Sequence, residues 1–167
     1  MRPDIELPGP EGDVVRARVG RAAYDLNLQQ FCCGGLNFGY FYDRSPIILY
    51  DGAAQPAYTM AEFTPSTVPG CRTPHFWLRD GRSIYDLLGP GYTLLCFDPK
   101  ITTGALEGAA ARRGVPLEVV KVAAEDAPDT YEHKLVLVRT DRHVAWRGDA
   151  LPDDREAFIT LLRGART

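Results

Sequence analysis

The sequence lacks a long hydrophobic run, an excess of basic residues and a signal-peptide core. No stretch approaches the roughly 20 consecutive apolar residues that span a bilayer, and the opening residues, MRPDIELPGP, are polar and proline-rich. The net charge is -3, whereas nucleic acids and anionic membranes bind basic surfaces. These absences predict a cytoplasmic protein that has neither nucleic acid nor a membrane as a partner.

Paired-cysteine and metal-binding motifs are also missing. Cys32 and Cys33 are adjacent, and Cys71 and Cys96 stand alone, so there is no CxxC pair and no metal-ligand spacing. The three histidines are far apart in the sequence, at His75, His133 and His143. We therefore expect small buried thiols in a reducing compartment, and no bound metal.

The chain of 167 residues divides by composition into two parts. Residues 1–63 predict a lead-in and an extended linker, and residues 64–167 predict a compact domain. Apolar residues recur at helical spacing from Val14 to about Cys32, which predicts one amphipathic helix. The Gly34-Gly35 pair that follows is expected to end this helix.

Aromatic residues dominate the next segment, LNFGYFYDRSPIILY. Its alternating apolar residues predict a strand over residues 36–42 and a second short strand over residues 47–50, followed by extended chain. A strand with aromatic residues on both faces needs cover on both sides. We therefore predict an interface between domains or subunits here, and packing onto the domain's own core is the alternative. The predicted interface residues are Phe38, Tyr40, Phe41 and Tyr42.

The compact part alternates strands and helices. Hydrophobic runs predict strands at residues 92–97, 117–122, 134–138 and 143–147, and helical spacing predicts helices at about 84–88, 102–113 and after Leu151. The order β-α-β followed by β-β-α predicts an α/β, thioredoxin-like fold, a central mixed sheet flanked by helices. The predicted core comprises Leu94, Leu95, Phe97, Val119, Val136, Val138, Phe158 and Leu161.

The segment PGCRTPHFWLRDGRSIYDLLGPGYTLLCFD resembles the opening of peroxiredoxins. In that family a P-x-x-x-T-x-x-C motif follows the strand, and its cysteine lies in the first turn of a helix, where the helix dipole favours the thiolate. Pro99 and Thr103 occupy the proline and threonine positions of this motif, but Leu106 stands in place of the cysteine. The resemblance therefore implies the scaffold without its catalytic residue.

The same segment, together with LVLVRTDRHVAWRGDALP and LNFGYFYDRSPII, is similar to a second family. This is the C-terminal thioredoxin-like domain of FAD-dependent aromatic-ring hydroxylases, the relatives of phenol hydroxylase and of the hydroxyphenylpropionate hydroxylases. The resemblance covers about residues 14–164, and the predicted N-terminal helix resembles the last helix of the flavin-containing part. It implies a parent enzyme that uses FAD and NADPH to hydroxylate a phenolic ring.

The G-x-G-x-x-G fingerprint of an FAD-binding domain is absent from the sequence. We therefore expect no cofactor and no catalytic residue in this chain. The expected role is structural or in oligomerisation, with the FAD-binding domain of the parent enzyme and a second copy of the chain as partners. Two alternatives stay open: a divergent peroxiredoxin or thioredoxin-like thiol enzyme that uses Cys71 or Cys96, and a stand-alone interaction module.

Overall fold

A mixed four-stranded sheet organises the C-terminal part of the chain. In the computed structural model, which describes residues 3–165, the strands are β1 (Tyr92–Cys96), β2 (Leu117–Lys121), β3 (Leu135–Val138) and β4 (Val144–Gly148). The α-helices are α1 (Gly9–Phe31), α2 (Gly34–Phe38), α3 (Gly104–Arg112) and α4 (Arg155–Leu162). The strand order is β2-β1-β3-β4, with β1 parallel to β2 and β3 antiparallel to both of its neighbours. The predicted α/β fold with a central mixed sheet is therefore confirmed, in the strand order that a thioredoxin-like topology requires.

Helices α3 and α4 cover one face of the sheet. Leu106 of α3 and Phe158 of α4 share one buried cluster with side chains of β1 and β3. Helix α3 stops just before Gly114, whose φ of 65° is left-handed and suits glycine. Asp154 begins α4 by accepting a hydrogen bond from the backbone N–H of Ala157 at 2.9 Å. Local capping and burial thus place both helices where the sequence predicts them.

The opposite face is covered by the segment that precedes β1. This segment contains the 3-10 helix Ile84–Leu87, as predicted, and a turn at Gly81 with a φ of 84°. Phe76 and Ile84 pack there against Leu95 and Val136 of the sheet. Both faces of the sheet are therefore buried, which explains why β1 and β3 are apolar almost throughout.

Most of the predicted core is buried, and Val119 and Leu161 are the exceptions, each only half-buried. Val119 lies on β2, an edge strand that has a neighbour on one side only. On α4 the inward positions are taken by Phe158, Ile159 and Leu162, so Leu161 lies at the margin of the buried face.

Helix α1 is longer than predicted and stands largely uncovered. It begins at Gly9 rather than at Val14. Within the described residues, its extensive contact with another helix or strand is limited to the 3-10 helix Pro3–Glu6. Four of its apolar side chains are more than half exposed: Val14 at 69%, Tyr24 at 58%, Leu26 at 78% and Phe31 at 80%. Across residues 3–165 neither α1 nor any other helix has the length and apolar character needed to cross a membrane.

The predicted strands over residues 36–42 and 47–50 are wrong. Helix α2 occupies the start of the first, and the aromatic residues after it lie in irregular chain. The backbone here pairs with the linker instead of with a strand, since the N–H of Leu36 donates to a linker carbonyl group at 3.0 Å. Gly35 permits this close approach, because a Cβ at that position would lie 1.7 Å from the carbonyl oxygen of Thr59. The Gly34-Gly35 pair therefore opens α2 as well as following α1.

The irregular chain over residues 39–71, which we call the linker from here on, runs along the outer edge of β4. The N–H of Leu49 donates to the carbonyl of Ala145 at 2.9 Å, and the N–H of Gly70 donates to the carbonyl of Val144 at 2.8 Å. In return, the N–H of Val144 donates to the carbonyl of Cys71 at 2.9 Å. The linker thus continues the hydrogen bonding of the sheet without forming a regular strand.

Candidate interaction surface

The predicted interface residues lie beside the β3–β4 hairpin. The rings of Tyr40 and Tyr42 contact the imidazole of His143, with centroid distances of 5.0 and 4.8 Å. Phe38, Tyr40 and Tyr42 remain 47%, 43% and 37% exposed, whereas Phe41 is half-buried. One side of this aromatic segment therefore rests on its own domain, and part of each exposed ring stays accessible to a partner.

His143 is buried beneath these rings. Its Nδ1 lies 3.0 Å from the carbonyl oxygen of Asp141, to which it can donate, and its Nε2 has no partner within the described chain. Burial lowers the pKa of His143, the Asp141 carboxylate opposes this effect, and the charges of Arg72 and Arg139 add to it. Arg139 in turn pairs with Asp141 at 2.9 Å and stacks on the ring of Tyr42 at 5.0 Å. The arrangement suits packing rather than proton transfer with water.

Two further arginines stack on the ring of Tyr85. The guanidinium of Arg72 lies 5.7 Å from the centre of that ring and 5.5 Å from the ring of Phe38. The guanidinium of Arg142 lies 4.5 Å from Tyr85. Stacking restrains these planar cations and leaves their N–H edges available for a carboxylate or another acceptor.

The same surface continues from Tyr85 to Trp77 through His75. The ring of His75 lies 5.2 Å from Tyr85 and 4.9 Å from Trp77, and its Nε2 is 2.9 Å from the Oγ of Ser83. Trp77 is 66% exposed. Local sequence patterns do not predict this extension of the candidate surface, because its residues come from separate segments. The one feature of the sequence that indicates this surface is the high density of arginine and aromatic residues between Arg72 and Tyr85.

The position that would hold a peroxidatic cysteine offers no nucleophile. Leu106 is fully buried in α3, and the Thr103 hydroxyl donates to the carboxylate of Glu107 at 2.6 Å. Cys71 and Cys96 are both buried, and burial raises the pKa of the Cys71 thiol. A raised pKa disfavours the thiolate that attack on a peroxide requires.

The expectation that all four cysteines are buried is wrong for the first pair. Cys32 is exposed at the end of α1, where little of the chain covers the helix, and Cys33 is half-buried. None of the four cysteines forms a disulfide bond. Within the described part of the chain, no group of three or more His, Cys, Asp or Glu residues is placed to hold a metal ion.

The sheet domain matches a known protein family. A family model for the C-terminal part of aromatic-ring hydroxylases matches residues 66–164, a range that includes all four strands, α3 and α4. The chain belongs to this family. The resemblance drawn from the sequence is therefore confirmed.

Sequence similarity to individual relatives extends into the N-terminal part of the chain. The phenol 2-monooxygenase of Pseudomonas sp. (strain EST1001) is 33% identical over 93% of this chain, which spans 28% of that enzyme. The FAD-dependent monooxygenase opdD of Penicillium oxalicum is 31% identical over 96% of this chain, which spans 32% of it. The chain thus spans less than a third of these relatives.

Solved structures show the same relationship. RebC, soaked with chromopyrrolic acid and holding 7-carboxy-K252c, is 37% identical, with a TM-score of 0.78 over 99% of this chain and 31% of its own. The flavin-dependent monooxygenase PieE, in complex with FAD and substrate, is 27% identical, with a TM-score of 0.65 over 96% of this chain and 31% of its own. The matches cover helix α1 and the linker as well as the sheet domain.

Proposed function

We propose that this chain forms the non-catalytic, structural C-terminal part of an FAD- and NADPH-dependent hydroxylase of phenolic rings. The proposal rests on the exposure of helix α1, in which the side chains of Val14, Leu26 and Phe31 are more than two thirds exposed. Apolar side chains exposed to water along one uncovered helix favour a covering surface from elsewhere. In relatives that are FAD-dependent monooxygenases, at least two thirds of the protein lies outside the matched part and can provide this surface.

FAD itself does not fit the residues of this chain. The pyrophosphate of a dinucleotide binds where a glycine-rich turn joins a strand to a helix N-terminus. The turn between β1 and α3, residues 97–103, contains no glycine. Gly34-Gly35 has no strand before it, and the space beside Gly35 is filled by the carbonyl of Thr59. In the proposed enzyme FAD therefore supplies the oxygen-transfer chemistry from another domain.

The role left to this chain is packing. Helix α1 and the exposed parts of Phe38, Tyr40 and Tyr42 would lie against the FAD-binding domain or against a second subunit. Burial of these surfaces would hold the domains in one orientation and would contribute to a homo-oligomer. Cysteines that form no disulfide bond support a cytoplasmic enzyme, because a reducing compartment keeps thiols reduced.

A domain replacement in the phenol 2-monooxygenase of Pseudomonas sp. tests the proposal. One variant lacks the 28% of that enzyme which this chain matches, and in a second variant this chain takes its place. We expect the deletion to lose FAD or the native oligomeric state and the replacement to restore both, measured by flavin absorbance and light scattering. A deletion variant that keeps FAD, oligomeric state and hydroxylation unchanged would contradict the structural role.

Substitutions on α1 make this test specific. In the replacement enzyme, Leu26→Glu with Phe31→Glu should abolish the recovery of FAD binding, because charged side chains cannot be buried against another domain without a large cost. The control is Tyr58→Glu, since Tyr58 lies on the linker and is 50% exposed. By itself, the purified chain mixed with excess FAD should retain no flavin absorbance, and a stoichiometric yellow complex would refute the proposal.

A further inference from the structure

Arg72 is a half-buried cation without an anion beside it. Its guanidinium lies between the rings of Phe38 and Tyr85, and within residues 3–165 it makes neither an ion pair nor a side-chain hydrogen bond. The other arginines in this range that are buried or half-buried each have an aspartate oxygen within 2.9 Å: Arg139, Arg147 and Arg155. A charge withdrawn from water is costly unless an acceptor compensates it. Arg72 is therefore the half-buried arginine whose acceptor the described chain does not supply.

A second cation lies on the same ring. The guanidinium of Arg142 is 4.5 Å from the centre of the Tyr85 ring, and it likewise has no ion pair within the described residues. The ring that carries both cations is held in place, because the Tyr85 hydroxyl donates to the carbonyl of Thr73. Two guanidinium groups on one ring repel each other, and a carboxylate bound beside both would offset that repulsion.

The backbone of Arg142 is strained where it presents its guanidinium. Among the described residues, Arg142 is the non-glycine residue with a positive φ, at 65°. Hairpin positions of this kind usually hold glycine or asparagine, because a Cβ is disfavoured there. Strain of this kind is concentrated at positions where the side chain has a use, and here it accompanies a cation placed over Tyr85.

The two cations adjoin the surface that the proposed function assigns to another domain. Arg72 contacts Phe38, the last residue of α2, and only two residues separate α2 from α1. Phe38 is itself 47% exposed. A domain that covers Phe38 lies next to Arg72, because the guanidinium is 5.5 Å from the centre of that ring.

We propose that Arg72 and Arg142 form a carboxylate clamp, which binds an aspartate or glutamate side chain of the FAD-binding domain of the parent enzyme. The planar N–H edge of a guanidinium matches the two oxygens of a carboxylate, and stacking on Tyr85 leaves that edge accessible. Trp77, joined to Tyr85 through His75, is 66% exposed on the same surface and suits a protein partner better than a free inorganic anion. The inference rests on the proposed function and adds the chemical group that the partner supplies.

A carbodiimide cross-link tests the clamp in the enzyme in which this chain replaces the matching part of the phenol 2-monooxygenase. Arg142→Lys keeps the positive charge and introduces an amine, which a carbodiimide joins to a carboxyl group in contact with it. We expect mass spectrometry to find an amide between position 142 and an aspartate or glutamate of the FAD-binding domain. Arg163→Lys, at an exposed position just after α4, is the matched control and should give no such product.

Arg142→Gly separates the clamp from the stability of the fold. Glycine adopts a φ of 65° without strain, so this change removes the guanidinium and relieves the backbone together. The isolated chain should unfold at the temperature of the wild type or above it, whereas the replacement enzyme should release FAD at a lower urea concentration. Arg72→Gln should also lower the urea concentration for FAD release, and Arg163→Gln is its control.

Cross-links from position 142 that reach only carboxyl groups of this chain, within one copy or between two copies, overturn the clamp. The absence of any cross-link from position 142 overturns it as well, and so does FAD release that neither Arg142→Gly nor Arg72→Gln alters. A replacement enzyme that regains FAD but fails these tests refutes the clamp alone. A replacement enzyme that never regains FAD refutes the proposed function, and the clamp with it.

Discussion

The Nε of Arg147 on β4 lies 2.7 Å from a carboxylate oxygen of Asp51 in the linker, 96 positions earlier in the chain. The Nη1 of Arg147 also donates to the hydroxyl of Thr67 at 3.2 Å. Burial by itself would raise the pKa of Asp51, but hydrogen bonds from Arg147 and from the N–H of Ala53, together with the charge of Arg147, hold it below its ordinary value. This pair fastens the linker to the sheet.

Asp51→Asn should destabilise the chain by about 2 kcal/mol, because it leaves the buried Arg147 guanidinium without its counter-charge. Folding depresses the pKa of Asp51 below the value of 3.8 that it has in the unfolded chain. The contribution of the ion pair to the free energy of unfolding is therefore fully present above pH 3.8, and it is lost as the pH falls through the lower pKa of the folded state. Urea unfolding at neutral and acidic pH measures both effects. The exposed Asp129→Asn is the control, and equal stability of the two variants would refute the pairing.

Leu162→Ala should lower the free energy of unfolding by about 2–5 kcal/mol, because the Leu162 side chain is only 4% exposed and packs in the cluster between α4 and the sheet. Leu161→Ala should cost clearly less, since that side chain is already half in water. Chemical denaturation of the two variants provides the comparison. Equal losses, or a larger loss for Leu161, would show that the inward face of α4 is assigned incorrectly.

The chain should consume no peroxide catalytically with a thiol reductant. Leu106 stands where the nucleophile would be, and the raised pKa of Cys71 keeps that thiol protonated. We expect background rates for the wild type and for a Cys71→Ser, Cys96→Ser variant. A Cys32→Ser variant controls for stoichiometric oxidation of the exposed thiol. Turnover that disappears only in the double variant would revive the thiol-enzyme alternative.

The segment of residues 36–50 should contribute to self-association of the isolated chain. Leu36 and Phe38 are 52% and 47% exposed, so replacing both with serine removes apolar contact area at little cost to the fold. Light scattering should then report a lower mass than for the wild type at equal concentration. A Tyr58→Ser, Met60→Ser variant, at similarly exposed linker positions, should behave as the wild type does. A wild type that is monomeric throughout would show that the segment serves its own domain alone.

The sheet domain is predictable because its signals are local. An apolar run predicts a central strand at residues 92–97, and β1 indeed has neighbours on both sides, with Leu94 and Leu95 fully buried. Asp154 stands just before apolar residues that recur at helical spacing, and its side chain caps the N-terminus of α4. In these elements the residues that determine the structure lie within a few positions of each other.

The aromatic segment is not predictable in the same way. Alternating large residues indicate a strand only where a partner strand exists, and here the backbone partner is the irregular linker. The contacts that form the candidate surface join residues far apart, such as Arg142 and Tyr85. No pattern within either segment encodes that pairing, because it depends on how the hairpin and the 3-10 helix pack across the sheet.

The hydrogen bonds between the linker and β4 have a consequence for how the sheet meets other molecules. An open strand edge offers a row of unpaired N–H and C=O groups that can recruit a strand from another chain and start aggregation. Leu49, Gly70 and Cys71 occupy those groups on β4, while the other edge strand, β2, is short and carries the exposed charges of Glu118 and Lys121. The linker therefore keeps the sheet from growing by strand addition at β4.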